Sequence, residues 1–246
     1  MDRLLYIAMN GAKHSMLQQA VTANNLANAS TNGYKAQNGA FRALPVYGPG
    51  MPTRTFVVDS TPNADLSGGT LTTTGRPLDM AVHGRGWFAV QDAKGGEAYT
   101  RNGAFEVTDT GLLVTNNGLP VIGDGGTITV PPDSEVNIAK DGTVTLVANG
   151  LVQNAVSIGR LKLVNPADSD MVRGDDGLFR TKTNTPAQAD ASVNLAAGAL
   201  ETSNVSAVNS LIDMIDHSRL FDMQIKLMQT ADDNSKDAVS VMSINA

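Results

Sequence analysis

The sequence is poor in the residues on which several common functions depend. Its 246 residues include no cysteine, one tryptophan and only 4% aromatic residues. The absence of cysteine excludes disulfides, thiol catalysis and cysteine-ligated zinc. So few aromatic side chains leave no obvious platform for stacking bases or sugars. We therefore interpret Trp87 as the core anchor of a β-rich domain.

Charge is scarce as well. Charged residues make up 17% of the chain, against roughly 25% in an average protein, and the net charge is −6. Nucleic acid is excluded as a main partner, because neutralising phosphates takes clustered Lys and Arg. No run of 18 apolar residues exists, so no membrane insertion is expected. The N-terminus also lacks the long apolar segment of a cleaved secretory signal.

The first segment has the pattern of a long helix. Alternating steps of four and three residues from Leu5 give a mostly apolar stripe: Leu5, Met9, Ala12, Met16, Gln19, Ala23 and Leu26. This spacing is typical of a coiled-coil seam. Asn32-Gly33 provides a C-terminal stop signal. We predict an N-terminal helical segment over residues 1–34.

The last segment has a longer pattern of the same kind. Steps of three and four from Leu211 give Leu211, Met214, Ser218, Phe221, Ile225, Met228, Asp232, Ser235, Val239 and Met242. No proline follows Pro186, and Ser203, Asn204 and Ser206 are candidate N-caps. A pattern of this length indicates a coiled coil or helix packing between molecules. We predict a C-terminal helical segment over residues 198–246.

The middle of the chain has the pattern of short strands joined by tight turns. Turn signals, several of them Asn-Gly or Asp-Gly dipeptides, recur about every 8–12 residues, as in hairpins of a β-sandwich or irregular barrel. Strands are predicted at Arg54–Val58, Trp87–Val90, Ile128–Val130, Thr143–Val147 and Ile158–Val164. The fold class is therefore α+β, with a mainly-β central domain and long terminal helices that pair and pack between subunits. Residues 35–75 are assigned to an extended arm or hairpin and residues 76–197 to a β-rich outer domain.

Candidate catalytic chemistry is weak throughout. His14, His83 and His217 lie far apart without metal-binding spacing, and are expected to face solvent or flank helices. The glycine-rich stretches at 84–86 and 123–126 lack the full spacing of a phosphate loop. The neighbouring carboxylates of Asp175-Asp176 point apart and do not flank one bond. We predict no catalytic residue, no cofactor and no metal, and hence no enzyme.

A motif after the first helical pattern consists of Asn25, Leu26, Ala27, Asn28, Thr31, Gly33 and Tyr34. It resembles the N-terminal signature of the flagellar rod and hook proteins, although Asn32 stands where proline is common in that family. Further resemblance lies at residues 74–105, 198–215 and 230–233. Within the family, residues 159–164 and 173–180 resemble the proximal rod members. The distal rod members are the near alternative, and hook proteins, with larger insertions, are less similar.

This resemblance implies a structural subunit of the bacterial flagellar basal body. It implies export from the cytoplasm by the flagellar type III export apparatus without a cleaved signal. It also implies assembly in the periplasm into a helical rod that transmits torque. The implied partners are further copies of the chain and other rod proteins, both proximal and distal.

A helical rod needs a heterologous contact that does not close into a ring. We hypothesise that the N-terminal stripe faces the C-terminal stripe within an inner layer of the rod. The contact residues are Leu5, Met9, Met16, Ala23, Leu26, Leu211, Ile215, Phe221, Ile225 and Met228. In a free subunit these stripes have little to pack against, so we expect the ends to be disordered and to fold on assembly. The alternatives are an adhesin-like β-rich binding module with helical oligomerisation ends and an enzyme acting on cell-wall glycan.

Overall fold

The computed structural model describes residues 2–45, 55–59, 63–131, 134–148 and 156–244. The chain starts with helix α1 (Asp2–Ala27) and ends with helix α2 (Ala207–Ile244), and the described residues between them form short strands. In chain order the strands are β1 Gln37–Asn38, β2 Phe41–Pro45, β3 Thr55–Asp59, β4 Asn63–Ala64, β5 Leu71–Thr73, β6 Met80–His83, β7 Trp87–Gln91, β8 Glu97–Thr100, β9 Phe105–Val107, β10 Leu113–Thr115, β11 Ile122–Gly123, β12 Gly126–Thr127, β13 Ser134–Ile138, β14 Thr143–Ala148, β15 Val156–Arg160, β16 Leu163–Val164, β17 Met171–Arg173, β18 Phe179–Thr181, β19 Asn194–Ala197 and β20 Ala199–Glu201. A 3₁₀ turn, Asp168–Asp170, precedes β17. The predicted α+β class, with a mainly-β middle and a helix at each end, is confirmed.

The chain divides into two compact units. The helical unit combines residues 1–28, 37–63 and 205–246, and the β-rich unit combines residues 29–36 and 64–204. The four-segment division expected from the sequence stays a prediction. No helix in the described ranges is long and apolar enough to cross a membrane.

In the helical unit, α1 packs along α2. Gly11 lies against Gln224, because a Cβ at Gly11 would stand 2.9 Å from the side-chain Cδ of Gln224.

The helical unit also contains a β-ribbon. Strands β2 and β3 pair antiparallel, from Phe41 opposite Asp59 to Pro45 opposite Thr55. The connection between them, which belongs to the predicted arm, lies outside the described residues, as does Arg54 of the predicted third strand.

The β-rich unit is built on a five-stranded antiparallel sheet in the order β16-β7-β8-β18-β17. A three-stranded sheet, β13-β14-β15, and the pairs β9–β10, β11–β12, β6–β19 and β5–β20 complete it. The predicted turns at Asn117-Gly118 and Asp141-Gly142 have their glycines at φ +76° and +87°. Only glycine adopts this conformation without steric cost, which explains the dipeptides.

The core of this unit is apolar and partly aromatic. Trp87 is buried and packs against Phe179 with ring centroids 4.6 Å apart. Phe88 and Phe105 meet edge to face at 5.1 Å within a second cluster of buried aliphatic residues. The interpretation of Trp87 as a core anchor is confirmed.

Two predicted strands differ from the structure. Ile128–Val130 does not form a strand: Ile128 and Val130 are buried, but Thr129 makes only an isolated bridge to Leu112. Ile158–Val164 divides into β15, which pairs with β14, and β16, which pairs with β7. The chain changes sheets at Leu161, so an alternating or β-branched run does not correspond to one strand.

Candidate assembly interface

The face between the two helices is built from small and polar residues. On α1, the buried residues Ala8, Ala12, Ser15 and Thr22 are spaced by four, three and seven. On α2, Ser210 and Ala231 are buried three heptads apart. Gly11, next to Ala12, leaves room for the Gln224 side chain. Small side chains bury little apolar area, so these residues add only modestly to the hydrophobic stabilisation of the pairing.

This buried face lies beside the stripes predicted from the sequence. Ala12 belongs to both, but Met9, Met16 and Ala23 lie one residue after Ala8, Ser15 and Thr22. Within one chain, the two predicted stripes therefore do not form the buried face as a whole. Periodicity favours a seam of the largest apolar residues, whereas close helix packing selects the small residues next to them.

Large apolar side chains are exposed on the outer faces instead. Met9 is 53% exposed, Met16 58%, Leu211 50% and Ile215 53%. Leu5 and Ala23 are also exposed, whereas the other predicted contact residues are half-buried: Leu26, Phe221, Ile225 and Met228. The outer faces continue through Tyr6, Leu17, Val208, Ile212, Leu220, Met223, Leu227, Val239 and Val241. Large exposed apolar patches are rare on monomeric soluble proteins, so these side chains are candidates for contact with other subunits.

The β2–β3 ribbon is hydrogen-bonded to α1. Asn10 Nδ2 donates to Val57 O at 3.1 Å, and His14 Nε2 lies 2.7 Å from the same oxygen. The His14 ring also meets Phe41 edge to face at 5.4 Å. The expectation of a solvent-facing His14 is therefore wrong, because the ribbon covers it; His83 is exposed and His217 half-buried.

The signature asparagines order the end of α1. The Asn25 amide binds the backbone of Gln37 twice, donating to Gln37 O at 2.9 Å and accepting from Gln37 N at 2.8 Å. Asn28 closes the helix: its backbone N donates to Asn24 O, and its side-chain Nδ2 donates to the same oxygen at 2.9 Å. These residues are therefore structural.

Gly33 and Tyr34, the last residues of the signature, pack within the β-rich unit. Gly33 N donates to Glu201 O at 2.7 Å, and Gly33 has φ +68°. A Cβ at Gly33 would overlap the backbone of Arg101 and Asn102, so only glycine fits. Tyr34 is buried beneath the Arg173 guanidinium, 4.5 Å from its ring centroid, a cation–π contact. Thr31 is exposed, but its carbonyl accepts a hydrogen bond from Tyr34 N.

A buried charge cluster, formed by Lys35, Arg101 and Glu201, adjoins the signature. Lys35 Nζ lies 2.6 Å from Glu201 Oε1, and Arg101 Nη1 lies 2.9 Å from Glu201 Oε2. Burial lowers the pKa of Lys35 from its ordinary value. Sequence reasoning missed this cluster, because no spacing connects three such distant positions. The available signal was that all three lie within the family blocks of a chain with few charges.

One member of the acidic pair considered for catalysis, Asp176, has a structural partner that it shares with Asp92. Asp176 Oδ2 lies 2.6 Å from Arg180 Nη2, and Asp92 Oδ2 lies 2.8 Å from the same nitrogen. Hydrogen bonding to Arg180 holds the pKa of both carboxyls below the ordinary value. Among the residues that the structure describes, no three or more His, Asp or Glu group together as metal ligands.

Three family models match successive parts of the chain. Residues 5–35 match "Flagella basal body rod protein", residues 81–146 match "Flagellar hook protein FlgE/F/G D1 domain", and residues 196–241 match "Flagellar basal body rod FlgEFG protein C-terminal". Over the full length of both chains, the protein is 48% identical to the flagellar basal-body rod protein FlgF of Escherichia coli and 47% identical to that of Salmonella typhimurium. The chain belongs to the FlgF family of flagellar basal-body rod proteins. It is a structural subunit of the rod, and its location is the flagellar basal body.

The FlgF assignment favours the first of the two rod alternatives. The FlgG rod protein of Bacillus subtilis is 31% identical over 98% of the chain, a more distant match than the enterobacterial FlgF proteins. The first family model covers α1 from Leu5 and the signature through Lys35, and the third covers β20 and most of α2. The first model therefore includes Lys35 and α1 from Leu5, and the third includes Glu201 and most of α2.

Proposed function

We propose that this FlgF-family chain polymerises helically through the outer faces of α1 and α2. The observation that carries the proposal is the division of each helix into two faces. The inner face is small and polar, whereas the outer face presents Met9, Met16, Leu211 and Ile215 at half or more of their full exposure. Fully burying one such side chain stabilises a contact by about 1.5–3 kcal/mol.

Two apolar faces on one subunit suit a rod. A neighbour that packs against the outer face of α1 leaves the outer face of α2 available to the next subunit, so the contact repeats without closing. The predicted contact residues occupy both faces, with Leu5, Met9 and Met16 on α1 and Leu211 and Ile215 on α2. The methionines suit contacts with non-identical neighbours, because their flexible side chains adapt to differently shaped surfaces.

The same division supports folding on assembly. In a free subunit the fully buried helix residues are mainly alanine, serine and threonine, whereas Met9, Met16, Leu211 and Ile215 stay half or more exposed. Isolated helices depend on tertiary packing for most of their stability. The outer faces thus become ordered when neighbours cover them, which also prevents premature polymerisation.

Other parts of the proposal rest on the family. The neighbours are further copies of the chain and other rod proteins, proximal and distal. The chain reaches the periplasm through the flagellar type III export apparatus without a cleaved signal. It acts as a drive shaft component and not as an enzyme.

Cysteine crosslinking tests the contact directly, because the natural chain contains no cysteine. Met9→Cys and Ile215→Cys would be introduced singly and together, and isolated basal bodies treated with a short bifunctional maleimide. We expect crosslinks between rod subunits in the double variant and far fewer in either single variant, because a heterologous contact sets different faces of neighbouring subunits together. Val156→Cys, at a residue that is 60% exposed in the β-rich unit, is the matched control. If Val156→Cys gave as much crosslinked product as the helix variants, the helices would not be the contact.

A further inference from the structure

The charge cluster has an unusual charge balance. Lys35 and Glu201 are 0% and 2% exposed at their side chains, and Arg101 is 5% exposed. Two cations therefore share one carboxylate inside the β-rich unit. Removing a charge from water is costly unless pairing and hydrogen bonds compensate for it. A buried cluster with one cation in excess is thus stable only where its ion pairs and hydrogen bonds have a closely defined geometry.

That geometry joins three separate stretches of chain. The first is residues 29–36, which follow α1; the second is residues 64–74; the third is residues 199–204, which precede α2. Lys35 Nζ donates to Ser67 O at 2.6 Å as well as to Glu201, and Gly69 N donates to Glu201 Oε1 at 2.8 Å. One lysine and one carboxylate thus bind all three stretches.

Neighbouring hydrogen bonds repeat the same connections. Ala36 N donates to Asn204 Oδ1 at 2.7 Å, and Asn204 Nδ2 donates to Asp65 O at 2.9 Å. Gly33 N reaches Glu201 O. The backbone of the first stretch is therefore held by the third, and the third by the second.

Arg101 anchors the cluster to the sheet. Its Nη2 donates to Gly84 O at 2.9 Å, and its guanidinium lies 5.2 Å from the Trp87 ring centroid. The carboxylate of Glu201 is thus held at a fixed point beside the core, and Lys35 must reach that point. Burying Lys35 anywhere else would leave its charge uncompensated.

We propose that Lys35, Arg101 and Glu201 form a conformational lock that seats residues 29–36 in a single cooperative step. Seating holds residues 33–36 beside residues 201–204 within the β-rich unit. The lock holds whether or not the outer helix faces make the rod contact.

Hydrogen exchange on the full-length chain tests the lock through the amides of Gly33, Ala36 and Gly69. In Glu201→Gln, which leaves two buried cations without an anion, all three amides should exchange at least 10-fold faster. The reference amides are Ala89 and Gln91, whose N–H groups bond Lys162 O and Pro120 O in the β-rich unit. Their exchange should change less than threefold.

The second variant keeps the charge balanced. Lys35→Met leaves Glu201 paired with Arg101, so the sheet and its reference amides should be unaffected. Gly33 and Ala36 should still exchange at least 10-fold faster, because nothing then draws the first stretch to the carboxylate. This variant decides the question if Glu201→Gln unfolds the whole chain.

The matched control is Glu97→Gln. Glu97 is also a largely buried carboxylate in the β-rich unit, bound to Lys162 Nζ at 2.8 Å and to Tyr99 Oη at 2.9 Å. Its loss should leave Gly33 and Ala36 within twofold of wild type. The lock would be overturned if Gly33 and Ala36 stayed within twofold of wild type in Lys35→Met, or if the reference amides accelerated as much as Gly33 and Ala36 in that variant.

Discussion

Lys35 Nζ lies 2.6 Å from Glu201 Oε1, although 166 positions separate the two residues in the chain. One residue directly follows the N-terminal signature, and the other lies shortly before the C-terminal helix. The end of the signature therefore packs within the β-rich unit, next to a buried carboxylate. Its asparagines shape the end of α1, and its glycine makes the close approach possible.

Gly33→Ala should lower the free energy of unfolding by about 3 kcal/mol. Its φ of +68° strains any residue with a Cβ, and the added carbon overlaps backbone that has no room to move. Gly118→Ala is the control, since Gly118 has φ +76° but no atom within 4 Å of the added Cβ. It should cost about 1 kcal/mol. Urea titration measures the free energy of unfolding of both variants. Equal decreases would show that the packing around Gly33 tolerates a side chain.

In the free subunit, the amides of α1 and α2 should exchange far faster than those of β7 and β8. The buried helix residues are mostly small, and Met9, Met16, Leu211 and Ile215 are half or more exposed before assembly. Hydrogen exchange of the purified monomer, read by mass spectrometry, gives the comparison. Strong protection across residues 2–27 and 207–244 would contradict folding on assembly.

Ile215→Asp should abolish incorporation into the rod without affecting the β-rich unit. The substitution places a carboxylate in the outer face of α2. Burying that carboxylate against an apolar neighbour costs on the order of 3 kcal/mol or more. Val156→Asp puts the same charge at a comparably exposed position outside the helices. Swimming assays and immunoblots of isolated basal bodies report incorporation. Normal incorporation of Ile215→Asp would remove Ile215 from the interface.

Acid should weaken the β-rich unit partly through Arg180. The pKa values of Asp92 and Asp176 are lowered by its guanidinium, so both carboxyls hold their protons less readily when folded than when unfolded. Their contribution to stability is complete above the ordinary value of 3.8 and is lost as the pH falls through the lower folded values.

Arg180→Gln should therefore lower the melting temperature by about 1–3 °C at neutral pH and reduce its decline below pH 4. Arg85→Gln, which removes an ion pair exposed by more than half at both ends, should change neither. Thermal melts between pH 2.5 and 7 provide the measurement. Identical pH profiles for Arg180→Gln and the unaltered chain would contradict the assignment.

Local patterns in the sequence were sufficient to predict the helices and many turns. The heptad spacing around Met9 and Leu211 reflects helical periodicity, and the glycines at 118 and 142 reflect backbone conformations available to few other residues. Helical periodicity and turn conformation both depend on residues only a few positions apart in the chain.

The helix register and the charge cluster depend on tertiary structure. Which side of α1 faces α2 is decided by how closely two helices approach, so Ala8 and Ser15 are buried and Met9 and Met16 are not. Likewise, no local rule brings position 35 to position 201. The change of sheet at Leu161 has the same origin, because it depends on which strands are available for pairing.

The most direct test of the central claim is electron cryo-microscopy of isolated basal bodies at a resolution that shows side chains. We expect density for this chain in the rod, with Met9 and Met16 of one subunit and Leu211 and Ile215 of another buried against neighbouring helices. A rod in which these four residues face solvent, while subunits touch through the β-rich unit alone, would contradict assembly through the outer helix faces.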